Sequence, residues 1–414
     1  MAVGALSMTV AFMAFAENLA FIGTTDKNPL LYDCNEKMTF TVTLVDRDNN
    51  NLPVPGRTLR WQRNGDDGKT ESGTASSDSP LVVSTSIDRP GFVRLTVNVL
   101  GQDGEAVKGD DHKFDGGAGA NVDQIEGEPL PEGFNEFWDR EVEKLYATPY
   151  QVKLTPVDWP SQGIKVSKFE ITTYPGEAPA TGLIGMMEGS APKSLDLHVD
   201  AVGYGFGRYW VNDNQIRKGK IFVTVARQGE DPIREDEYYA KLQQNELKGF
   251  CFRHNDDLRK NDFYKMLIRD LRALQYVKTL PEWNGGKLTV SGGSMGGFQA
   301  IGMAALDHDV TGCHAEVTWM CDLSGAAKHN RMGGWRPGST EVLRFFDSVN
   351  LATRVKCPVS MRIGLGDYVC PPSGEMVLFH RLKVPKALNA MQNRGHGGPF
   401  GPNPEEFHYT DRIR

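Results

Sequence analysis

One serine concentrates the chemistry in this chain. The run Val290-Ser291-Gly292-Gly293-Ser294-Met295-Gly296-Gly297 contains Gly-x-Ser-x-Gly, with Ser294 at its centre. That spacing suits a tight strand–turn–helix elbow. The turn leaves no room for side chains two positions to either side, hence Gly292 and Gly296, and the hydroxyl is thrust out at the carboxyl end of a sheet. The helix N-terminus beneath it brings a positive dipole end toward any oxyanion that forms there. The chain has 45 glycines, so the pattern alone also fits an inert glycine-rich turn, and context must decide.

A serine hydroxyl is a poor nucleophile without a base, and an elbow of this kind takes its acid and then its histidine later in the chain. Of nine histidines, His396 lies in the glycine-rich stretch Asn393-Arg394-Gly395-His396-Gly397-Gly398, just after a predicted late strand. Asp367 closes Ile363-Gly364-Leu365-Gly366-Asp367, just past another strand. Its role would be to accept the imidazole N–H and stabilise the imidazolium. Asp322, after the strand-like residues 315–319, is the competing acid. An oxyanion hole needs two N–H donors. Met295, after the nucleophile, supplies one, and Tyr204 in Gly203-Tyr204-Gly205 is the candidate for the other. Trp319 and the Gly-, Arg- and Trp-rich residues 321–355 are expected to cover the site.

The elements needed to hold these residues are visible. From residue 165 onward strands and helices alternate. Ile221-Phe222-Val223-Thr224-Val225 is nearly all apolar, as in a strand buried on both faces, and Pro281 stops the amphipathic helix that begins at Asp262. The strand before Ser294 and the helical run 298–306 after it supply the elbow's context. Together these predict an α/β-hydrolase fold over residues 131–414, a mostly parallel sheet with helices on both faces. Residues 17–115 read differently. Met38-Thr39-Phe40-Thr41-Val42-Thr43-Leu44 alternates with period 2 between turn clusters, which predicts a small immunoglobulin-like β-sandwich with no chemistry of its own. Gly116-Gly117-Ala118-Gly119-Ala120 reads as the start of a linker over residues 116–130.

Composition narrows the class. The net charge is −7 and the basic residues are unclustered, so nucleic acid is not an expected partner. Six cysteines without a Cys-x-x-Cys pair give neither a zinc site nor a disulfide scaffold. Residues 1–16 are apolar and uncharged and end in Ala14-Phe15-Ala16. They resemble a signal peptide lacking its basic n-region, which predicts a secreted or periplasmic protein. No stretch is long and apolar enough to predict a membrane span.

With these residues in place, residues 130–410 resemble the acetyl xylan esterase and cephalosporin C deacetylase family. The resemblance rests on Phe134 to Trp138, Gly203-Tyr204, Gly292 to Gly297, Gly364-Leu365-x-Asp367 followed by Val369-Cys370-Pro371-Pro372, and His396, in that order. It implies a serine carboxylesterase that removes acetyl groups from short xylo-oligosaccharides and similar esters, with no metal or organic cofactor. The expected partner is a small-molecule or oligosaccharide ester, with an oligomer allowed. Two departures stand out. Met295 replaces the family's usual Gln after the nucleophile, and Arg227-Gln228-Gly229 replaces its Arg-Gly-Gln motif. Trp319, Arg227 and Gln228 are the expected substrate-side residues. Two other readings stay open at this point: an esterase or peptidase of the same fold with a different substrate, and a non-catalytic carbohydrate-binding homologue.

Overall fold

The computed structural model describes residues 18–109, 112–402 and 404–409. The signal-peptide-like residues 1–16 lie outside them.

Period-2 alternation becomes strand in the N-terminal region. β1 (Leu19–Thr25), β2 (Met38–Asp46), β3 (Leu52–Pro53), β4 (Thr58–Gly65), β5 (Thr70–Ser76), β6 (Leu81–Thr85), β7 (Gly91–Val99) and β8 (Lys113–Ala120) form two four-stranded antiparallel sheets. One runs β1-β2-β3, with β6 also on β2, and the other runs β5-β4-β7-β8. The apolar phases of β1, β2, β4, β6, β7 and β8 point inward, so Phe21, Phe40, Leu95 and Phe114 share one core. Two sheets facing each other across such a core make a sandwich.

Residues 116–120 correct the linker expectation. They are the end of β8, paired with β7 and buried from Phe114 to Ala120. Their glycines serve close approach. A Cβ on Gly116 would stand 2.3 Å from Gln392 Oε1, and one on Gly117 would stand 2.4 Å from the Leu365 carbonyl oxygen.

The remainder alternates. In chain order come α1 (Phe134–Ala147), β9 (Val152–Val157), β10 (Ile164–Ile171), β11 (Ala180–Met187), β12 (Leu195–Ala201), α2 (Asp213–Arg217), β13 (Lys220–Val225), α3 (Asp236–Gln244), α4 (Asp262–Val277), β14 (Trp283–Gly293) and α5 (Met295–Leu306). Then follow β15 (Gly312–Glu316), α6 (Gly325–His329), α7 (Ser348–Leu351), β16 (Val359–Gly364), α8 (Pro372–Arg381), β17 (Lys386–Met391), β18 (Arg394–Gly395), β19 (Gly398–Pro399) and β20 (Glu406–Tyr409). Ten of these strands make one sheet, in the order β20-β17-β16-β15-β14-β12-β13-β11-β10-β9. Neighbours from β17 to β13 are parallel, and the two ends are antiparallel.

β13 is buried on both faces, as its apolar run predicts. Ile221, Val223 and Val225 join the large core with α1, α4 and α5, while Phe222 joins a smaller core with Ile216 of α2. The chain passes from β12 to β13 on one side and then crosses to β14 on the other, so the loops after β12 and β14 diverge. A crevice at the carboxyl ends of such strands is where open α/β sheets place their ligands. All six cysteines are free, and no described helix is long and apolar enough to cross a membrane.

Candidate active site

The elbow forms as its glycines require. Ser294 sits between β14 and α5 with φ 58° and ψ −120°, a backbone conformation that costs energy for any residue with a Cβ. A Cβ on Gly292 would lie 2.3 Å from the Gly296 carbonyl oxygen, and one on Gly296 would lie 2.2 Å from that of Ala201. Ser294 is pinned on both sides. Its N–H donates to Glu316 O at 2.8 Å, and its carbonyl accepts from Phe298 and Trp319 at 3.1 and 3.0 Å.

β16 and β17 are parallel neighbours, so the loops that leave them emerge side by side. The first carries Asp367. The second folds into the small hairpin of β18 and β19, with His396 at its tip. The loops bond to each other: Gly366 N–H donates to Arg394 O, and Leu365 N–H to Met391 O, both at 3.0 Å. The result is one continuous chain. Asp367 Oδ2 lies 2.9 Å from His396 Nδ1, and His396 Nε2 lies 2.9 Å from Ser294 Oγ. Asp367 is fully buried, and its other oxygen accepts the N–H groups of Val369 and Cys370 at 2.8 Å. The His396 side chain is 23% exposed. That arrangement lets an imidazole take a proton from the hydroxyl while a buried, immobilised carboxylate holds its far side.

Asp322, the competing acid, is elsewhere. It pairs with Arg331, and its N–H donates to Asp347. Glu375 of α8 sits beside Asp367 and was not anticipated. It accepts the Thr318 N–H at 2.5 Å, and burial, reinforced by the Asp367 charge, pushes its carboxyl well above the usual range. Asp367, Cys370 and His396 bring their ligand atoms within 4.8 Å of one another. Burial pushes the Cys370 thiol far up.

Met295 is the first residue of α5, where N–H groups lack intrahelical acceptors. The loop with Gly203 and Tyr204 follows β12 and comes close to the elbow: a Cβ on Gly203 would lie 3.4 Å from Gly293 O. Gln299 Nε2 donates to Val202 O at 3.0 Å, and Arg227 Nη1 donates to Gly203 O. In a trans peptide the C=O and the next N–H point oppositely, so the Tyr204 N–H is turned away from Arg227.

Three expected substrate-side residues are placed differently. Arg227 is buried, holding Gly203 O, the Tyr209 hydroxyl and Glu230. Gln228 is buried against Arg269. Arg227 braces the Tyr204 loop through Gly203 O, whereas Gln228 bonds Arg269 and Glu230. Trp319 is buried too, and its indole N–H donates to Trp335 O at 2.6 Å. Trp335 is the exposed ring, stacked on Trp319 at 5.6 Å and edge-on to Tyr204 at 5.0 Å and Phe252 at 5.7 Å. The loop under this aromatic wall is strained, with Val317, Met320 and Asp322 all at positive φ. Trp335 lay inside the expected covering segment, but a tryptophan in aperiodic sequence carries no sign of which way it faces.

Comparison with known proteins gives the family and the fold. The acetyl xylan esterase (AXE1) family model matches residues 124–332 and 338–407. Acetyl esterase Axe7A of Xylanibacter ruminicola is 26% identical over 281 residues, which cover 62% of this chain and 61% of that relative. The acetyl xylan esterase of Paenibacillus sp. R4 superposes with a TM-score of 0.57 at 23% identity, covering 67% of this chain and 93% of its own. For acetyl xylan esterase 1 of Thermoanaerobacterium sp. JW/SL YS485 the values are 0.56, 22%, 66% and 92%. The fold is therefore that of the α/β-hydrolases, preceded by a strand-rich region. From residue 124 to residue 407 the chain belongs to the acetyl xylan esterase family.

Proposed function

We propose that the chain is a serine esterase that removes acetyl groups from carbohydrates through an acyl-enzyme. The observation that carries this is the unbroken hydrogen-bonded chain from Asp367 through His396 to Ser294. Family membership supports acetyl as the acyl group.

In this reading Ser294 Oγ attacks the acetyl carbonyl while His396 Nε2 takes its proton. The N–H groups of Met295 and Tyr204 receive the negative charge that develops on the carbonyl oxygen. As the tetrahedral species collapses, the ester C–O bond breaks and His396 gives its proton to the departing sugar oxygen. Water then enters, gives a proton to His396 and attacks the acetyl-serine. Acetate leaves, and the serine oxygen recovers its proton. Asp367 stabilises the imidazolium in both halves. Trp335, Tyr204 and Phe252 offer the aromatic surface on which a sugar ring could lie.

The test is hydrolysis of p-nitrophenyl acetate, p-nitrophenyl butyrate, an acetylated xylo-oligosaccharide and a dipeptide amide, by wild type and Ser294→Ala. Acetate release from the first and third, lost by about 10⁴–10⁶-fold in Ser294→Ala, is the expected result. Faster turnover of the amide than of acetate would replace the deacetylase reading with a peptidase.

A further inference from the structure

The sandwich reaches both loops that carry the acid and the base, and does so through buried polar groups. Arg94 of β7 donates from Nε to the carbonyl oxygen of Gly366, the residue before Asp367, at 3.0 Å. It also grips Asp115 of β8, with Nε and Nη2 at 2.7 and 2.6 Å from the two carboxylate oxygens. Asp115 donates its own N–H to Asn393 Oδ1 at 3.1 Å. Two residues on, Gly117 N–H donates to Gln392 Oε1 at 2.8 Å, and Gly117 O accepts from Gln392 Nε2 at 2.9 Å. Asn393 Nδ2 donates to Phe21 O of β1 at 3.1 Å. Gln392 and Asn393 lie just ahead of His396 and are buried, as is Asp115.

The contact is too close and too polar to be a passive spacer. Gly117 meets the Leu365 carbonyl with no room for a Cβ, and a Cβ on Gly366 would stand 2.1 Å from Asp115 O. Loops after strands are the soft parts of a fold, and their polar groups take whatever fixed partners are offered. Here the partners are strand β7, paired on both sides by β4 and β8, and strand β8, which lies along β7 at the edge of the sheet. Burial pushes the Asp115 carboxyl up, with the Asp367 charge adding to it, and the Arg94 guanidinium opposes both.

We propose that the N-terminal sandwich completes the active site, with Arg94 and Asp115 as positioning residues that set the Asp367–His396 geometry. This rests on the serine-esterase reading of Ser294, His396 and Asp367. A displacement of about 1 Å at reacting groups can cost about 100-fold in rate, so a brace one residue from the acid has leverage.

The experiment uses the full chain and p-nitrophenyl acetate, with wild type, Arg94→Met, Arg94→Lys, Asp115→Asn and a control, Leu59→Ala. Leu59 is buried in the sandwich core on β4. Each variant is assayed well below its own melting temperature. In Arg94→Met, kcat should fall about 10- to 100-fold with KM almost unchanged. The acid limb of its kcat/KM profile should move as well, because the Asp367–His396 bond would no longer be held in place. Arg94→Lys keeps one donor and should recover part of the loss. Asp115→Asn should lose less than Arg94→Met, and its limb should move too. Leu59→Ala should lower the melting temperature while keeping kcat. Wild-type kcat and an unmoved limb in both Arg94→Lys and Asp115→Asn would overturn the proposal, even if Arg94→Met failed to fold. So would an equal loss of kcat in Leu59→Ala. A wild type that hydrolyses no acetyl ester would instead sink the esterase reading, and this proposal with it.

Discussion

Ser294 Oγ and His396 Nε2 stand 2.9 Å apart although 102 residues separate them in sequence. Neither is free to drift. Ser294 is fixed by bonds from its backbone to β15, α5 and the Trp319 loop, and His396 is fixed by Asp367 and the hairpin it caps. The contact is thus a property of the sheet order, which puts β14, β15, β16 and β17 side by side.

Because His396 bonds Asp367 and Asp322 bonds Arg331, the two candidate acids separate cleanly by mutation. Asp367→Asn should lower kcat by about 10⁴-fold, since an amide N–H turned toward Nδ1 holds the imidazole in the wrong tautomer. Asp322→Asn should leave kcat near wild type and act on stability through Arg331. Steady-state kinetics on an acetyl ester decide, and the reverse order would hand the role to Asp322.

How much of this was legible beforehand follows from what kind of signal each feature leaves. Gly292, Ser294 and Gly296 are dictated by local sterics, so the elbow could be read directly. Asp367 and His396 followed from chain order and from turns after strands. What misled were glycines whose purpose is long-range. Gly116 and Gly117 look like flexible linker because the groups that crowd them, Gln392 and Leu365, are far away in sequence. β11 left no alternation because it is buried on both faces and carries Gly182 and Gly185. The orientation of Arg227, Gln228 and Trp319 depends on burial, and charge or aromaticity in a sequence says nothing of which side of a loop a residue takes.

Glu375 should behave as a neutral acid. Burial and the neighbouring Asp367 charge push its carboxyl well above the usual range, and its Oε1 accepts from Thr318 N–H. Glu375→Gln preserves shape, neutrality and acceptor, so kcat/KM on acetyl esters should stay within about threefold of wild type. Glu375→Ala leaves the Thr318 N–H unpaired and should cost about 1–3 kcal/mol in stability by denaturant titration. An equal loss of activity in both variants would show that the charge of Glu375, not its hydrogen bond, is what matters.

Asp270 on α4 gives a pH signature. Neither of its carboxylate oxygens has a hydrogen-bond partner among the described residues, and burial raises its pKa to about 8, with Arg269 opposing. An unfolded aspartate titrates near about 4. The folded chain thus keeps a proton the unfolded chain has already lost, and stability from this group falls as pH rises from about 4 to about 8. Asp270→Asn should remove that fall. Its melting temperature relative to wild type should climb across the same window and level off above it. Parallel curves for the two proteins would mean that Asp270 does not titrate there.

Trp335 is one of the exposed rings of the aromatic wall, and its backbone is tied independently, by its N–H to Val369 O at 3.1 Å and by Trp319 Nε1 to its carbonyl at 2.6 Å. Trp335→Ala should therefore remove the ring without releasing the segment. In the wild type, activity should fall steeply from acetate to butyrate esters of one alcohol, because an extra methylene that clashes costs more than one that merely goes unused. If the wall closes the acyl side, Trp335→Ala should raise the butyrate-to-acetate ratio of kcat/KM by about tenfold, the equivalent of about 1.4 kcal/mol. If the ring instead carries the sugar, the acyl ratio should hold and KM for an acetylated xylo-oligosaccharide should rise by a similar factor, while KM for p-nitrophenyl acetate stays put. Comparing the two substrates in one variant assigns the ring to the acyl or the alcohol side. No change in either would remove Trp335 from substrate recognition.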